Sequence, residues 1–178
     1  SKWDKELKIL RNNSMIKNDK KQMWKYDMNQ PGFNFRLSDI NCALGISQLR
    51  KLDSFIRLRR KIAKQYNEIF TNKKNISTPY LSSNIYHSYH LYPLQIDFNK
   101  LKIQKKNFFI KMFRKGIRLQ VHYIPLYMQP YYKKKYNLKP ENFMNSTDFY
   151  SKEVSIPIYP GLSNPQIRFI TESVLSLI

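Results

Sequence analysis

The sequence has little cysteine, little glycine, few acidic residues and no long apolar run. Of its 178 residues, one is cysteine, Cys42, and 4 are glycine. A single cysteine excludes an internal disulfide and a thiolate metal cluster, and it is typical of a reducing compartment. No stretch approaches the roughly 18 apolar residues that a membrane span needs, and no charged-then-apolar leader opens the chain. We therefore expect a soluble cytoplasmic protein without membrane contact.

The chain has enough apolar residues to fold, since 42% are hydrophobic and 15% aromatic. Its length predicts one domain with room for a smaller appendage, at about 150 residues per domain. The first residue is Ser1 rather than methionine, and a helical pattern follows at once. This beginning indicates the inside of a longer protein.

Acidic residues are scarce against a large excess of basic ones. Lys and Arg number 32 against 12 Asp and Glu, which gives a net charge of +20. Such a charge attracts polyanions, so a basic nucleic-acid-binding module is one hypothesis. However, the basic residues are spread along the chain and form no single stripe with interleaved aromatics. A biased composition is therefore favoured over a dedicated nucleic-acid surface.

Apolar spacing and turn residues predict an alternation of helices and strands. In the first half they predict a short helix capped by Asp4, a loop over 14–31, a helix capped by Ser38 or Asp39, and a helix from Asp53 to about Phe70. In the second half they first predict a strand at 90–96, a helix closed by Gly116 and a strand over Ile117–Tyr123. An irregular Tyr- and Pro-rich stretch follows. The last predicted elements are a helix near 147–152, a strand near 154–158 and a helix from Asn164. The pattern predicts an α/β fold in which long helices accompany a small helix-covered sheet. Cys42, on an apolar helical stretch, is expected to be a buried structural thiol.

Two segments carry polar groups that indicate binding. In Gly32–Arg36, the side chains of Asn34 and Arg36 could hold an anion; alternatively, Asn34 caps a turn and Arg36 pairs with Asp39. The segment Gln120–Tyr127, with Gln129–Tyr131 just behind it, carries His, Tyr and Gln from a strand end into an irregular aromatic loop, which is typical of a polar pocket for a ring-bearing ligand. Its alternative is an edge histidine packed beside core tyrosines.

A metal site is not predicted. His87 and His90 are three residues apart, but no third ligand lies close to them in the sequence. The sequence also contains no glycine-rich phosphate loop, no GxSxG and no HExxH.

A long motif gives a more specific indication. The run GFNFRLSDINCALGISQL over Gly32–Leu49 closely resembles the G-x-N-x-R…ALG-x-x-QL signature of DegT-type sugar-nucleotide aminotransferases. Further similar segments follow in the same order, at 89–93 (YHLYP), 116–117 (GI), 121–125 (VHYIP), 129–132 (QPYY) and 155–160 (SIPIYP). The resemblance covers essentially the whole chain, and it is strongest to the pseudaminic acid branch of that family.

The resemblance implies the C-terminal portion of a type I fold, like that of aspartate aminotransferase. Residues 1–70 would be the end of the large domain and the interdomain helices, and 71–178 the small C-terminal domain. It implies a homodimer with active sites at the subunit interface. There, pyridoxal phosphate moves an amino group from glutamate to the 4-keto carbon of a UDP-linked deoxy sugar for surface glycans.

The resemblance also implies roles for individual residues. Asn34 matches the asparagine that reaches the coenzyme phosphate of the other subunit, and Gln120, Val121, His122 and Tyr123 match the segment that lines the sugar-nucleotide site. Arg36 and His90 match supporting positions. The Schiff-base lysine of the family precedes Ser1, so no catalytic residue is predicted here. We expect the chain to need the N-terminal half of the enzyme and to be inactive alone; the alternative is a degenerate remnant without activity.

Overall fold

The structure, a computed structural model, describes residues 1–17 and 24–178. Residues 18–23, part of the loop predicted over 14–31, lie outside the described residues. The chain divides into two units, Ser1–Lys51 and Leu52–Ile178. The predicted division at residue 70 refers to the domains of a larger enzyme, and it stays a prediction.

The first unit begins with helix α1, Lys2–Arg11. Ser1 caps this helix, because its hydroxyl accepts a hydrogen bond from the Asp4 N–H at 3.2 Å. Asp4, the predicted cap, lies in the first turn and pairs with Lys8 at 3.0 Å. The predicted cap is wrong because Ser1 offers the same kind of oxygen one turn earlier.

Two short strands follow α1 within the predicted loop. Strands β1 (Met15–Ile16) and β2 (Asp27–Met28) form a two-stranded antiparallel sheet. Each strand has two residues. Such strands are too short for an alternating pattern to distinguish them from a loop.

Helix α2, Asp39–Leu49, completes the first unit. Of the two predicted caps, Ser38 is the one that acts, since its hydroxyl accepts the Asn41 N–H at 3.3 Å. Every residue of α2 is exposed, including its large apolar side chains, Ile40, Leu44, Ile46 and Leu49. Cys42 is exposed as well, so the prediction of a buried thiol is wrong for this chain. The apolar side of α2 is without a covering surface among the described residues.

The second unit contains the larger sheet and five helices. The helices are α3 (Leu52–Phe70), α4 (Lys105–Arg114), α5 (Pro130–Tyr136), α6 (Met144–Lys152) and α7 (Asn164–Leu175), and the strands are β3 (Ile76–Ser77), β4 (Tyr92–Ile96) and β5 (Glu153–Ile156). The sheet is antiparallel in the order β3-β4-β5. This mixture of helices and small sheets confirms the predicted α/β class. Within the described residues, no helix combines the length and apolar character that a membrane crossing requires.

The core of the second unit lies between the sheet and its helices. One face of α3 contributes Ile62, Ala63, Tyr66 and Phe70 at helical spacing. Alternate residues of β4 are buried, as its burial pattern shows, and α4 and α7 add further apolar side chains. In α3 the core therefore follows the predicted apolar periodicity.

Residues 117–123 do not form the predicted strand. Gln120 makes an isolated antiparallel bridge to Ser155, with N···O distances of 3.1 and 2.9 Å. The alternation predicted there is nevertheless visible in burial, since Ile117 is buried and Arg118 is exposed. The apolar alternation correctly identified the side of this segment that faces the core. The segment is not a strand because it pairs with β5 at one bridge alone.

Helix α5 was missed within the stretch predicted to be irregular. It starts at Pro130, where a proline's lack of an N–H costs no hydrogen bond, and it stops at Asn137, whose φ of 49° is left-handed. Prolines and tyrosines at this density indicated a loop, whereas Pro130 begins a helix.

We expect the second unit to lose stability above a pH of about 10. Burial raises the pKa of Tyr66 far above its ordinary value, and Tyr159 adds to the shift. Burial likewise raises the pKa of Tyr92, with smaller contributions from Tyr89 and Tyr66. Tyrosine in an unfolded chain titrates at about 10. The stabilisation from the neutral hydroxyls is therefore complete below that pH and falls above it, by up to about 1.4 kcal/mol per pH unit for each tyrosine.

Urea unfolding of the chain from about pH 8 to about pH 11 would measure this loss. Tyr66→Phe combined with Tyr92→Phe should flatten the alkaline limb, because neither ring can then ionise. Tyr80→Phe is the matched control, since Tyr80 is 92% exposed and should leave the limb unchanged. An alkaline limb that is equally steep in the double variant would contradict the assignment.

Candidate functional site

Asn34 lies in a segment that backbone hydrogen bonds hold against the end of α1. The Phe33 N–H donates to the Leu10 carbonyl at 2.7 Å, and the Phe35 N–H donates to the Arg11 carbonyl at 3.1 Å. These bonds, one on each side of Asn34, fix its backbone position.

Gly32 allows this segment to lie directly on the chain that follows α1. A Cβ at Gly32 would overlap the backbone of Asn13 and Ser14. Ser14 is completely buried, and its hydroxyl donates to the Pro31 carbonyl at 3.2 Å. The contact is therefore closed to any side chain at residue 32.

The side chains of Asn34 and Arg36 are joined to each other and exposed. The Arg36 Nε–H donates to Asn34 Oδ1 at 2.7 Å. This bond occupies the amide oxygen and leaves the Asn34 NH2 group to donate elsewhere. Among the described residues no ion pair joins Arg36 to Asp39, the predicted alternative. Amide and guanidinium donors with one positive charge form an arrangement that suits an anion.

His122 is half-buried beside β5, where two side chains of that strand contact it. Its backbone N–H donates to Glu153 Oε2 at 3.1 Å. Its ring Nδ1 lies 2.8 Å from Ser155 Oγ, and Ser155 Oγ lies 2.6 Å from Glu153 Oε1. Glu153 is completely buried and Ser155 is 5% exposed. The histidine is thus anchored on its inner side.

The other members of Gln120–Tyr123 surround His122. Gln120 is exposed next to its bridge to β5, Val121 is half-buried, and Tyr123 is 75% exposed. The rings of His122 and Tyr123 meet edge to face, with centroids 4.8 Å apart. Tyr123 faces solvent, whereas Tyr127 is buried, so the core tyrosines of the predicted alternative include Tyr127 and not Tyr123.

The predicted site residues belong to both units. Asn34 and Arg36 are in the first unit, and Gln120, Val121, His122 and Tyr123 are together in the second. Sequence reasoning missed the two side chains behind His122. Glu153 and Ser155 are two residues apart on a strand, a spacing that puts both side chains on one face. This spacing is the sequence feature that could have identified them as a pair.

His87 and His90 do not form a metal site in the described part of the chain. The Tyr89 N–H donates to His87 Nδ1 at 3.0 Å, so this ring nitrogen is an acceptor within its own turn. Nowhere in the described part of the chain do three or more His, Cys, Asp or Glu side chains come together in a group that could hold a metal ion.

Comparison with known proteins identifies the family. Residues 1–175 match the DegT/DnrJ/EryC1/StrS aminotransferase family. A UDP-4-amino-4,6-dideoxy-N-acetyl-beta-L-altrosamine transaminase of Campylobacter jejuni is 35% identical over 173 residues, which are 97% of this chain and 44% of that protein. The spore coat polysaccharide biosynthesis protein SpsC of Bacillus subtilis is 30% identical over 156 residues, or 87% of this chain and 40% of that protein.

Solved structures give the same result for the fold. PseC of Helicobacter pylori, described as an aminotransferase involved in the biosynthesis of pseudoaminic acid, is similar with a TM-score of 0.86 and 31% identity over 99% of this chain and 46% of its own. A putative sugar aminotransferase of Streptococcus pneumoniae, Spr1654, has the same fold, with a TM-score of 0.84 and 23% identity for its PLP-form over 99% of this chain and 43% of its own.

The chain spans less than half the length of these relatives. The likeness confirms the predicted fold class, the C-terminal portion of a type I PLP-dependent aminotransferase. Because the family match covers nearly every residue, the chain belongs to the DegT/DnrJ/EryC1/StrS aminotransferase family.

Proposed function

We propose that this chain is the C-terminal part of an aminotransferase that moves an amino group from glutamate to the 4-keto carbon of a UDP-linked deoxy sugar. The observation that carries the proposal is the 35% identity, over 97% of this chain, to a transaminase named for such a sugar. We propose that the reaction serves surface-glycan biosynthesis in the cytoplasm. The product would be an amino sugar nucleotide.

The chain as given is proposed to be inactive alone. It spans 44% of the Campylobacter jejuni transaminase, and the family resemblance puts the coenzyme-anchoring lysine before Ser1. We propose that an N-terminal half supplies that lysine. Until this half is present, the chain can contribute binding groups but no proton transfer at the reacting carbon.

The residues present fit one part of the coenzyme, its phosphate. Aminotransferases of this family depend on pyridoxal phosphate, which supplies an electron sink for the amino transfer when it is bound. A phosphate accepts hydrogen bonds, and the Asn34 NH2 is available to donate because Arg36 occupies the amide oxygen at 2.7 Å. We propose that Asn34 holds the phosphate of a neighbouring subunit's coenzyme and that Arg36 orients Asn34 while adding positive charge.

The segment Gln120–Tyr123 is proposed to line the sugar-nucleotide site. His122 and Tyr123 present an edge-to-face pair of rings, of which Tyr123 is 75% exposed. Exposed aromatic faces suit sugar and base rings, and the Gln120 amide can donate and accept hydrogen bonds. The support for this role is the polar and aromatic chemistry of the segment together with the family resemblance.

The apolar side of α2 supports proposed partners. It exposes Ile40, Leu44 and Leu49 by 82%, 59% and 68%. A patch of this kind is typical of a surface that another subunit or domain covers. We propose that α2 meets the remainder of a homodimeric enzyme.

Reconstitution would test the proposed function. The chain would be combined with a separately produced N-terminal part that contains the anchoring lysine, and the mixture supplied with pyridoxal phosphate, glutamate and a 4-keto UDP-sugar. We expect coenzyme absorbance and amino transfer in the mixture and neither with the chain alone. If both parts fold and the mixture still shows neither, the chain is a remnant and the proposal is wrong.

In the reconstituted enzyme, Asn34→Ala is expected to weaken coenzyme binding about 10-fold. The reason is the loss of a hydrogen bond to a charged phosphate, which contributes about 1.5 kcal/mol. Titration of the apoenzyme with pyridoxal phosphate measures the change. Asn29→Ala is the matched control, since Asn29 is exposed in the same unit and carries no proposed role. Equal affinity in the two variants would remove Asn34 from the coenzyme site.

A further inference from the structure

A carboxylate is buried behind the proposed sugar site. Glu153 is the first residue of β5, where it is opposite Gln95 of β4, and none of its surface is exposed. Burying a carboxylate is costly unless hydrogen-bond donors surround it. The groups that donate hydrogen bonds to the Glu153 carboxylate therefore indicate the role of this residue.

Each oxygen of Glu153 accepts one hydrogen bond. Oε1 accepts from the Ser155 hydroxyl at 2.6 Å, and Oε2 accepts from the His122 backbone N–H at 3.1 Å. Lys105 adds a positive charge nearby: burial lowers the pKa of its ammonium, and the charge of Glu153 opposes that effect. The Lys105 ammonium itself donates to the Tyr150 carbonyl at 2.6 Å.

These contacts determine which atom donates in the hydrogen bond between Ser155 Oγ and His122 Nδ1. The Ser155 hydroxyl has one proton, and it donates that proton to Glu153 Oε1. Ser155 Oγ must then accept from the His122 ring, whose Nδ1 is 2.8 Å away. A neutral His122 therefore carries its proton on Nδ1 and a lone pair on Nε2. In the described part of the chain, Nε2 has no hydrogen-bond partner.

We infer that Glu153 and Ser155 are positioning residues that hold His122 in its Nδ1–H form, so that Nε2 accepts a hydrogen bond from a ligand hydroxyl. The hydroxyl class rests on the proposed function, since a sugar nucleotide offers such donors. The order of protons from Glu153 through Ser155 to His122 rests on this chain alone. The tautomer of His122 and the hydroxyl class of the ligand can therefore be disproved separately.

The chain contains its own reference for the opposite form. His87 Nδ1 accepts the Tyr89 N–H at 3.0 Å, so a neutral His87 carries its proton on Nε2. With 3 histidines in the chain, their ring signals can be assigned one by one. His87 and His122 should thus show opposite tautomers in one sample.

The test is long-range proton–nitrogen NMR of the full chain labelled with 15N-histidine, at about pH 8, where an ordinary histidine is neutral. Protonated and unprotonated ring nitrogens resonate well apart. We expect Nδ1–H for His122 and Nε2–H for His87. Finding His122 mainly as Nε2–H would overturn the inference whether or not the chain takes part in amino transfer.

Glu153→Gln tests the origin of the tautomer with little change of shape. The glutamine oxygen is needed by the His122 backbone N–H, so its NH2 faces Ser155 and donates to it. Ser155 then donates to His122 Nδ1, and the ring changes from mainly Nδ1–H to mainly Nε2–H. Glu172→Gln is the matched control, because Glu172 is exposed on α7. It should leave all three histidines unchanged.

A second variant keeps the test decisive if Glu153→Gln does not fold. Ser155→Ala removes the hydroxyl that accepts from His122, and the ring should lose its preference for Nδ1–H. An unchanged Nδ1–H signal in either folded variant would show that Glu153 and Ser155 do not position His122.

A separate titration with UDP-N-acetylglucosamine, in the reconstituted enzyme, should shift the Nε2 resonance of His122. An unshifted Nε2 in an enzyme that binds this probe would overturn the hydroxyl acceptor role alone.

Discussion

Gly32→Ala is expected to destabilise the segment that carries Asn34 by about 3 kcal/mol, at the upper end of the usual cost of overpacking. The added methyl group would overlap backbone atoms of Asn13 and Ser14, which cannot rotate away as a flexible side chain can. The hydrogen bonds from the Phe33 and Phe35 N–H groups to the end of α1 would open together. Hydrogen exchange at these two amides should accelerate about 100-fold.

Gly45→Ala is the matched control in the same unit. Gly45 lies within α2, and a Cβ there meets no atom within 4 Å. Alanine is a better helix former than glycine, so this change should stabilise α2 by about 0.5–1 kcal/mol. The two identical substitutions are thus expected to have opposite signs. Unchanged exchange at Phe33 and Phe35 in Gly32→Ala would show that the close contact does not hold Asn34 in place.

Tyr66→Ala should remove about 3–5 kcal/mol from the free energy of unfolding of the second unit. The Tyr66 ring is completely buried, with the ring centroids of Tyr92 and Phe70 at 5.0 and 6.2 Å. Its hydroxyl also donates to the Pro157 carbonyl at 2.8 Å, which would lose this partner. Domains are stable by only about 5–15 kcal/mol, so the loss is a large share of the total. Urea unfolding followed by circular dichroism measures it.

Two further variants separate the contributions of Tyr66. Tyr66→Phe keeps the ring and deletes the hydroxyl, and should cost about 1 kcal/mol. Tyr80→Ala removes the same number of atoms from a side chain that is 92% exposed, and should change stability by less than about 0.5 kcal/mol. Equal losses in Tyr66→Ala and Tyr80→Ala would show that Tyr66 is not part of the core.

The sequence predicted the elements whose signal is local and repeated. Helix α3 repeats apolar residues along one face through Ile62, Tyr66 and Phe70, and this periodicity survives folding because the same face is buried. Strand β3 was missed because it has two residues, and its pairing of Ile76 with Ile96 depends on a partner 20 residues away. Such pairing is decided by tertiary structure rather than by neighbours in sequence.

In the candidate site, likewise, some residues could be identified from the sequence and others needed the folded chain. Asn34 and His122 were identified from family motifs, and their chemistry can be read from residue type. The bonds to His122 from Glu153 and Ser155 span 31 and 33 residues, so no local pattern connects them. What could be read was the spacing of two polar residues on one face of a strand. Their pairing with a histidine from another segment needed the folded chain.

The exposed thiol on α2 offers a direct measure of assembly. Cys42 is the only cysteine of the chain, so an alkylating reagent modifies each molecule once, at a known position. Alkylation should be fast for the chain alone and slow once the proposed partner, the N-terminal part, covers the surrounding apolar side chains. The reaction rate, followed against the concentration of an added N-terminal part, would therefore yield an association constant for the two parts without any turnover.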